Sequence, residues 1–445
     1  MKNIFVMGLD PFNLELLKTI GGDEEYRFHT LFETSEVVHP EGGEFPSLDD
    51  LRDRARVRFA EIPGGPDAVI GYWDFPTSVC VPMFARDAGL PGPSLEAVAR
   101  CEHKYWSRLE QKKALGEMIP EFQAVDPFAD DPAAQITIDY PFWLKPIKAH
   151  SSFLGFYIAG PEDLERHLPE IRENIGVVGR PFNEFMAHVE CPEEVAAVDG
   201  YHCIAEGIIS GGVQATVEGY SWNSEVIVFG TVDSIRAGKQ HSSFSRYQYP
   251  SKLPREVEAR MIKAARKVIH HIEYDGATFN IEFFWDHRTD SIRLLEINSR
   301  ISKSHSPLFL MVDGVTNQKT TLDLALGRQP DFPHRQGDYA LAGKFMMRLF
   351  KDELEDGIVE HIPTAEEIQR IRKAYPDTRV QLLVDKGMRL SELQFQDSYS
   401  YEIAVVFLGA DRQKALLDRY SDVEEHLRFE IHPVHPIEKK TNCEK

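Results

Sequence analysis

Two acidic residues stand within apolar strands in the segment FNIEFFWDHRTDSIRLLEINSR, residues 279–300. A hairpin turn around Thr289 would place Glu282 opposite Glu296 on one face of the hairpin. Like charges at directly opposed positions, with Cβ atoms about 5 Å apart, destabilise a sheet, so a divalent cation is a natural partner. Mg²⁺ prefers hard oxygen ligands, and Asn298 adds an amide oxygen on the same face. The pattern predicts a magnesium site; the alternative is a solvated face whose acids pair with nearby arginines.

The same alternation assigns the apolar residues of the hairpin. Side chains of a strand point to opposite faces in turn, so the residues between the acids should share the other face. Phe284 is expected beside the acids. The residues expected on the other face are Ile281, Phe283, Leu295 and Ile297.

Cationic and hydroxyl groups suited to phosphate follow the apolar strand in FWLKPIKAHSSFLGF, residues 142–156. Lys145 stands late in this strand, where its charge must face a cavity or reach water along its own stem. Lys148, Ser151 and Ser152 follow in a small polar loop that could cover phosphates through hydroxyl and N–H groups. The loop predicts phosphate binding; the alternative for Lys145 is an ordinary lysine at a strand end.

Two further charged residues are candidates for nucleotide binding. Lys104 begins a predicted helix that ends near Gly116, and the positive end of a helix favours an anion. Glu206 lies within the apolar strand of HCIAEGII, where backbone groups could read an adenine edge and the carboxylate could bind its amine. A surface lysine and a buried structural carboxylate are the respective alternatives.

A basic segment, SIRAGKQHSSFSRYQYPSKLP, occupies residues 234–254 of an otherwise acidic chain. It carries Arg236, Lys239, His241 and Arg246, which could form a local pocket for an anionic carboxylate. An exposed basic loop is the alternative.

Strand and helix patterns divide the chain into three predicted domains. Residues 1–95 alternate short apolar runs with helical patterns, which predicts a small parallel sheet covered by helices. LPGPSLEAV then marks a boundary, with Ser94 as the N-cap of a new helix. Residues 96–335 add antiparallel hairpins and one long helix, and residues 336–445 predict an α+β domain. The fold class is therefore a combination of α/β and α+β.

Composition narrows the classes of function. The formal net charge of −21 opposes binding to a nucleic-acid backbone, which requires a basic surface. The N-terminus lacks the apolar core of a signal peptide, and no run reaches the roughly 18 apolar residues of a membrane-spanning helix. The five cysteines have no CxxC spacing, which argues against a disulfide framework and a zinc site. These features favour a cytoplasmic globular protein without nucleic-acid or membrane partners.

Taken in order, these motifs resemble the ATP-grasp superfamily, and most closely its carboxylate–amine ligases, including the L-amino-acid ligase-like and carnosine synthase-like branches. The most specific mark is the pair NIEFF and RLLEINSR. The resemblance implies a pre-ATP-grasp domain, a nucleotide-binding and catalytic domain, and a C-terminal domain like that of biotin carboxylase-type relatives. The implied roles are phosphate contacts by Lys104 and Lys145, a phosphate cover from Lys148 to Gly155 that includes Ser151 and Ser152, adenine contacts by Glu206, Gly207, Ile208 and Ile209, magnesium ligation by Glu282, Glu296 and Asn298, and stabilisation of an acyl-phosphate by Arg300.

The resemblance also implies a reaction. ATP would activate the carboxylate of an amino acid or another small acid, and an amine would then displace phosphate. Lys145 and Arg300 would stabilise the developing charge together with Mg²⁺, for which Mn²⁺ could substitute. The alternatives are a phosphotransferase, a biotin carboxylase-like carboxylation, and a regulator that binds ATP without turnover. The expected partners are small carboxylates and amines, and a homodimer is the common assembly.

The chain departs from the family pattern at three places, and one of them is the phosphate loop, which lacks the usual glycines. The acid expected to bind ribose a few residues after Glu206 falls on Val213, so Gln214 or Glu218 would replace it, or the ribose would be held differently. After the arginine, where many relatives have a glycine pair, this chain has ISKSHSPLF. In that segment Lys303, Ser304 and His305 would hold the acceptor, with a solvated loop as the alternative.

Overall fold

The N-terminal part of the chain is a parallel sheet with strand order β2-β1-β3, covered by helices as the alternating pattern predicted. The computed structural model describes residues 1–21, 24–38, 40, 43–149, 153–209, 211–238, 243–393, 396 and 399–434. The elements of the first part are β1 (Lys2–Met7), α1 (Pro11–Leu17), β2 (Tyr26–Phe32), α2 (Thr34–Val37), α3 (Leu48–Glu61), β3 (Ala68–Ile70) and α4 (Thr77–Asp87).

Two helices, α5 (Leu95–Glu102) and α6 (Lys104–Leu115), lead into the next part of the chain. Ser94 caps α5 as predicted, because its hydroxyl accepts a hydrogen bond from Ala97 N at 3.2 Å. Gly116 follows α6 with a φ of 59°, a conformation that glycine adopts without strain. Lys104 is therefore the first residue of its helix, at the positive end of the helix dipole.

A small antiparallel sheet with strand order β4-β7-β5-β6 follows, packed against helices. It places Lys145 beside Glu206, because β5 and β7 are neighbours. Its elements are β4 (Phe122–Val125), β5 (Phe142–Pro146), β6 (Phe156–Ile158), α7 (Pro161–Asn174), α8 (Gly176–Met186), α9 (Glu193–Ala196) and β7 (Cys203–Gly207).

A large antiparallel sheet carries the acidic hairpin at one edge. Its strand order is β12-β11-β8-β9-β10-β13-β16-β15, so strands from both sides of residue 336 share one sheet. The elements from this part of the chain are β8 (Val213–Trp222), β9 (Glu225–Ala237), β10 (Ser243–Tyr249), α10 (Arg255–His271), β11 (Ala277–Asp286), β12 (Ser291–Asn298), α11 (Ser306–Asp313) and α12 (Asn317–Ala325).

The C-terminal part adds strands to this sheet and a separate β14-β17 pair. Its elements are β13 (Leu341–Phe350), β14 (Gly357–His361), α13 (Ala365–Ala374), β15 (Arg379–Leu382), β16 (Ser400–Ala410), α14 (Gln413–His426) and β17 (Glu430–Pro433). Among the described residues, no helix is both long and apolar enough to cross a membrane.

Apolar packing crosses the predicted domain boundaries. One core cluster contains Phe59 and Met83 from the first predicted domain together with Met261 and Phe279 from the second. The boundaries near residues 95 and 335 stay a prediction, while the shared core and the shared sheet join the three parts side by side.

Candidate active site

The two glutamates of the hairpin are direct cross-strand partners. Glu282 pairs with Glu296 in the register of β11 and β12, as the sequence predicted. Glu282 also accepts a hydrogen bond from Gln214 Nε2 at 2.7 Å. Burial and the neighbouring Glu296 raise the pKa of Glu282 to about 7. The repulsion between the two carboxylates and their hard oxygen atoms suit the pair to a divalent cation.

A β-bulge between Glu282 and Phe283 changes the register of the rest of the hairpin. Phe283 pairs with Leu294, which is completely buried beside it in the core. The prediction that Leu295 would share the face of Phe283 is wrong, because the extra residue of a bulge reverses the alternation beyond it.

A cleft of about 470 Å³ lies beside the glutamate pair. It is lined by Glu296 and Asn298 and by the three lysines that the sequence analysis selected, Lys104, Lys145 and Lys148. Lys104 Nζ lies 3.9 Å from Glu296 Oε2 and donates to a backbone carbonyl oxygen at 3.1 Å. Burial lowers the pKa of Lys104, and Glu296 offsets part of that effect. Carboxylates that suit a cation and ammonium groups that suit phosphate therefore share one space.

Asn298 is oriented by its neighbours. Its amide nitrogen donates to Asn280 Oδ1 at 2.9 Å, and its own Oδ1 lies 3.5 Å from Arg300 Nη2. Since the NH₂ group is bonded to Asn280, the oxygen atom is the group directed towards the arginine and the cleft. Amide oxygen is an acceptable ligand for a hard cation.

Lys148 and Arg300 share a carboxylate partner, Asp74. Lys148 Nζ lies 3.2 Å from Asp74 Oδ1 and also pairs with Glu102, while Arg300 pairs with Asp74 Oδ2. Burial disfavours the charge on Lys148, but Asp74 and Glu102 outweigh it and hold the pKa of the lysine above its usual range. An anion that binds at these cations must therefore compete with Asp74.

The sequence analysis missed both of these acids. Asp74 follows β3 at the carboxyl edge of the parallel sheet, where ligands of α/β proteins bind, and that position is the signal that could have identified it. Glu102 lies two residues before Lys104, and nothing in its local sequence separates it from the other acids of α5.

Glu206 is buried with both carboxylate oxygens bonded to cations. Arg108 Nε donates to one oxygen at 2.5 Å and Lys145 Nζ donates to the other at 2.9 Å. Burial opposes ionisation of Glu206, but the two cations outweigh it and hold the pKa of this carboxyl well below its usual range. A contact between Glu206 and an adenine amine stays a prediction, because these cations already engage its oxygens.

Arg108 is a second buried residue that the sequence analysis missed. Its guanidinium also donates to the carbonyl oxygens of Leu294 and Leu295 at 3.0 and 2.6 Å. It therefore ties the bulged strand β12 to the strand of Glu206. Its place four residues after Lys104, on the same face of α6, is a signal that could have found it.

The other predicted nucleotide contacts have different outcomes. Ser151 and Ser152 lie outside the described residues. Gly207 N donates to a backbone carbonyl oxygen of Glu121 at 2.9 Å, and Ile208 and Ile209 follow it at the end of β7, where Ile208 is exposed. Their contacts with adenine stay predictions.

Gln214 joins the acidic pair to the basic segment. Its Nε2 donates to Glu282, and its Oε1 accepts from Arg236 Nε at 3.2 Å. Glu218 lies fully inside the fold, where it pairs with His305. Of the two candidates for the ribose contact, Gln214 is therefore the one that remains near the site.

The basic segment does not gather its arginines on one face. A bulge between Phe244 and Arg246 pairs Arg246 with Ile235, whereas Arg236 pairs with Phe244. Because Ile235 and Arg236 are consecutive, Arg246 and Arg236 point to opposite faces of the sheet. A joint pocket of these two arginines is not formed, and Lys239 and His241 lie outside the described residues.

Comparison with known proteins identifies the fold. The family model of the carbamoyl-phosphate synthase L chain, ATP binding domain, matches residues 223–331. L-amino acid ligase from Bacillus licheniformis is similar with a TM-score of 0.69 and 15% identity, over 97% of this chain and 98% of that chain. No curated protein matches the chain.

Two further solved structures have the same architecture. The biotin carboxylase domain dimer of Hydrogenobacter thermophilus 2-oxoglutarate carboxylase, in complex with MgADP, ADP and bicarbonate, has a TM-score of 0.65 and 16% identity, over 97% of this chain and 91% of that chain. Phosphoribosylglycinamide synthetase from Anaerococcus prevotii has a TM-score of 0.62 and 12% identity, over 96% of this chain and 99% of that chain. The chain therefore has the mixed α/β fold of these structures, and residues 223–331 match the model of an ATP binding domain, in agreement with the resemblance that the motifs predicted.

Proposed function

We propose that this chain is an ATP- and Mg²⁺-dependent carboxylate–amine ligase that forms an amide bond and releases ADP and phosphate. The observation that carries the proposal is the single cleft that brings Glu296 and Asn298 together with Lys104, Lys145 and Lys148. Likeness to L-amino acid ligase over nearly the full length of both chains supports an amino acid or a related small acid as substrate.

The side chains of the cleft suit phosphoryl transfer to a carboxylate. In the proposed first step, a carboxylate oxygen attacks the γ-phosphorus of ATP, the bond to the bridging oxygen breaks, and ADP leaves with the electron pair. Lys104 and Lys145 would bind the phosphate oxygens, and Arg300 would stabilise the acyl-phosphate. The amine nitrogen then attacks the acyl carbon, phosphate leaves, and the amine loses a proton.

Magnesium fits the acidic hairpin. Glu282, Glu296 and Asn298 would hold the ion through oxygen atoms, and its charge would offset the burial and repulsion that raise the pKa of Glu282. When bound, Mg²⁺ supplies neutralisation of phosphate charge. Among the described residues no cluster of three or more His, Cys, Asp or Glu side chains could hold a metal, and the proposed site would use two carboxylates and one amide.

A screen for phosphate release tests the proposal. Purified full-length protein is incubated with ATP, Mg²⁺ and pairs of amino acids and amines, and phosphate, ADP and the amide product are measured. Glu296→Ala should abolish turnover, whereas Glu225→Ala, at an exposed acid of the same sheet, should leave it unchanged. Turnover that persists in Glu296→Ala would remove the metal assignment.

The products of the same screen distinguish the alternatives. A stable phosphorylated acid formed without any amine requirement would identify a phosphotransferase. Turnover that requires bicarbonate would identify a carboxylation of the biotin carboxylase type. ATP binding with no turnover of any pair would favour a regulatory protein.

A further inference from the structure

Two lysines beyond Arg300 form a cationic recess that the nucleotide cleft does not include. Lys303 is half-buried, with Nζ 3.9 Å from the centre of the Trp73 ring. Lys344 is also half-buried, and its Nζ donates to Ser304 Oγ at 3.1 Å. The two ammonium groups therefore converge on consecutive residues of one segment. Lys344 comes from β13, so the C-terminal part of the chain supplies half of the recess.

The strand register directs Lys344 towards the side of the sheet that carries Tyr247. These two residues are cross-strand partners in β10 and β13, and Lys344 Nζ lies 5.6 Å from the centre of the Tyr247 ring. Tyr247 in turn contacts the His305 ring edge to face, with ring centres 5.1 Å apart. Aromatic rings therefore lie beside Lys344, and the charged groups that act on this lysine are Glu402 and Arg348.

The charges of this recess are only partly balanced within the fold, since Glu402 acts on both lysines and Asp10 acts on Lys303. Within the described residues, neither Lys303 nor Lys344 forms an ion pair with a carboxylate, although burial disfavours an isolated charge. Lys148 in the nucleotide cleft differs, because Asp74 and Glu102 pair with it. Burial lowers the pKa of both recess lysines, and the proximity of Lys344 contributes to the lower pKa of Lys303. An anionic ligand would supply the missing charge.

Resting on the proposed function, we propose that the acid substrate carries a second carboxylate, which Lys303 and Lys344 bind while the reacting carboxylate lies at Arg300. Arg300 reaches Asp74 and Asn298 with its guanidinium, and Lys303 follows it three residues later in the chain. The ligand is therefore a dicarboxylic acid, with acidic amino acids included.

A carboxylate fits the recess better than a phosphate group. Asp10 and Glu402 are the acids whose charges act on Lys303, and Arg348 Nη2 holds Glu402 at 2.6 Å. Asp10 and Glu402 would repel a dianion more strongly than a singly charged group, and a single negative charge can be balanced by the two ammonium groups. The second group is accordingly singly charged.

The preference for a diacid should depend on pH. The pKa of Lys303 is lowered to about 8, first by burial and then by Lys344; Arg300 lowers it further, and Asp10 and Glu402 oppose these effects. Lys303 is thus charged below pH 8 and loses its proton above it. Binding of a second carboxylate favours the charged form, so diacid affinity should be constant near pH 7 and should weaken as pH rises above about 8.

Binding of matched ligands to the full-length protein tests the inference. Dissociation constants for succinate, glutarate and glutamate, each compared with its half-amide, are measured by calorimetry in the presence of Mg²⁺ and ADP. At least one diacid should bind more tightly than its half-amide. Lys344→Met and Lys303→Met should each reduce that preference by about tenfold to a hundredfold, because each removes one charge-assisted hydrogen bond to the second carboxylate. Lys351→Met, at a lysine that follows the last residue of β13 and lies 4.8 Å from the centre of the Tyr401 ring, should leave the preference unchanged.

Equal binding of every diacid and its half-amide would overturn the inference, and so would a preference that survives in both recess variants. Lys344→Arg should retain the preference, which separates lost charge from lost folding. If inorganic phosphate binds more tightly than each diacid in a manner that depends on Lys303 and Lys344, the carboxylate assignment is also overturned. These outcomes are independent of the proposed function, because amine-dependent phosphate release with monocarboxylic acids would survive them.

Discussion

The effect of Glu282→Gln on the free energy of unfolding tests whether two carboxylates face each other across the hairpin. In the folded chain, burial and Glu296 raise the pKa of Glu282 from its ordinary value near 4.5 to about 7. At about 1.4 kcal/mol for each tenfold change in acid dissociation, ionised Glu282 costs the metal-free fold about 3 kcal/mol relative to the unfolded chain. Gln can still accept the hydrogen bond that Gln214 donates, so the substitution removes charge and preserves packing.

The size of the effect depends on pH. Because the pKa of Glu282 is higher in the folded than in the unfolded chain, the cost is absent below pH 4.5 and complete above about pH 7. Glu282→Gln should therefore be more stable than the parent protein by about 3 kcal/mol at pH 8, and the difference should shrink as pH falls towards 5.

Urea unfolding in the presence of a chelator, over pH 5 to pH 8.5 in roughly half-unit steps, measures this difference. Glu225→Gln, at an exposed acid on the same sheet, is the matched control and should show no such dependence. Addition of Mg²⁺ and ADP should stabilise the parent protein and not Glu282→Gln. A difference that is constant with pH, or a variant less stable than its parent at pH 8, would refute the opposed carboxylates.

Three further predictions concern the contacts that hold the site. Arg108→Met should lower the free energy of unfolding by about 3–5 kcal/mol, because it leaves Glu206 with one cationic partner. Urea unfolding of Arg108→Met, of Glu206→Gln and of the double variant measures the interaction energy between Arg108 and Glu206. Gly179→Ala should cost about 1–3 kcal/mol in the same assay, since its Cβ would lie 2.2 Å from a backbone oxygen, whereas Gly160→Ala has open space and should be neutral. Asp74→Asn should tighten the binding of inorganic phosphate several-fold in calorimetry, because it releases a lysine and an arginine; unchanged or weaker binding would contradict competition at that carboxylate.

Local signals were sufficient for most elements and for part of the hairpin. Ser94 and Gly116 carry their capping roles in their own chemistry, and both were predicted correctly. The pairing of Glu282 with Glu296 followed from the turn and from strand alternation. Such features depend on residues close in the chain, and sequence spacing describes them directly.

Long-range contacts decided the rest of the site. Leu294, and not Leu295, enters the core because a bulge shifts the strand, and Arg108 bonds both carbonyl oxygens at that bulge. Asp74 reaches Arg300 across 226 positions of the chain. No local pattern contains these contacts, since they arise only when separate elements pack together.

The amino-acid sequence by itself determined the order of the elements, the acidic hairpin and the ATP-grasp resemblance, because periodicity, capping and cross-strand pairing act over short distances. Only the tertiary structure decided which charges are paired and which are left open. It gave Lys148 two carboxylate partners, left Lys303 and Lys344 beside each other, and turned Arg246 to the opposite face from the rest of the site. The physical reason is that the pKa and partners of a buried charge depend on groups from distant segments, whose approach is set by packing.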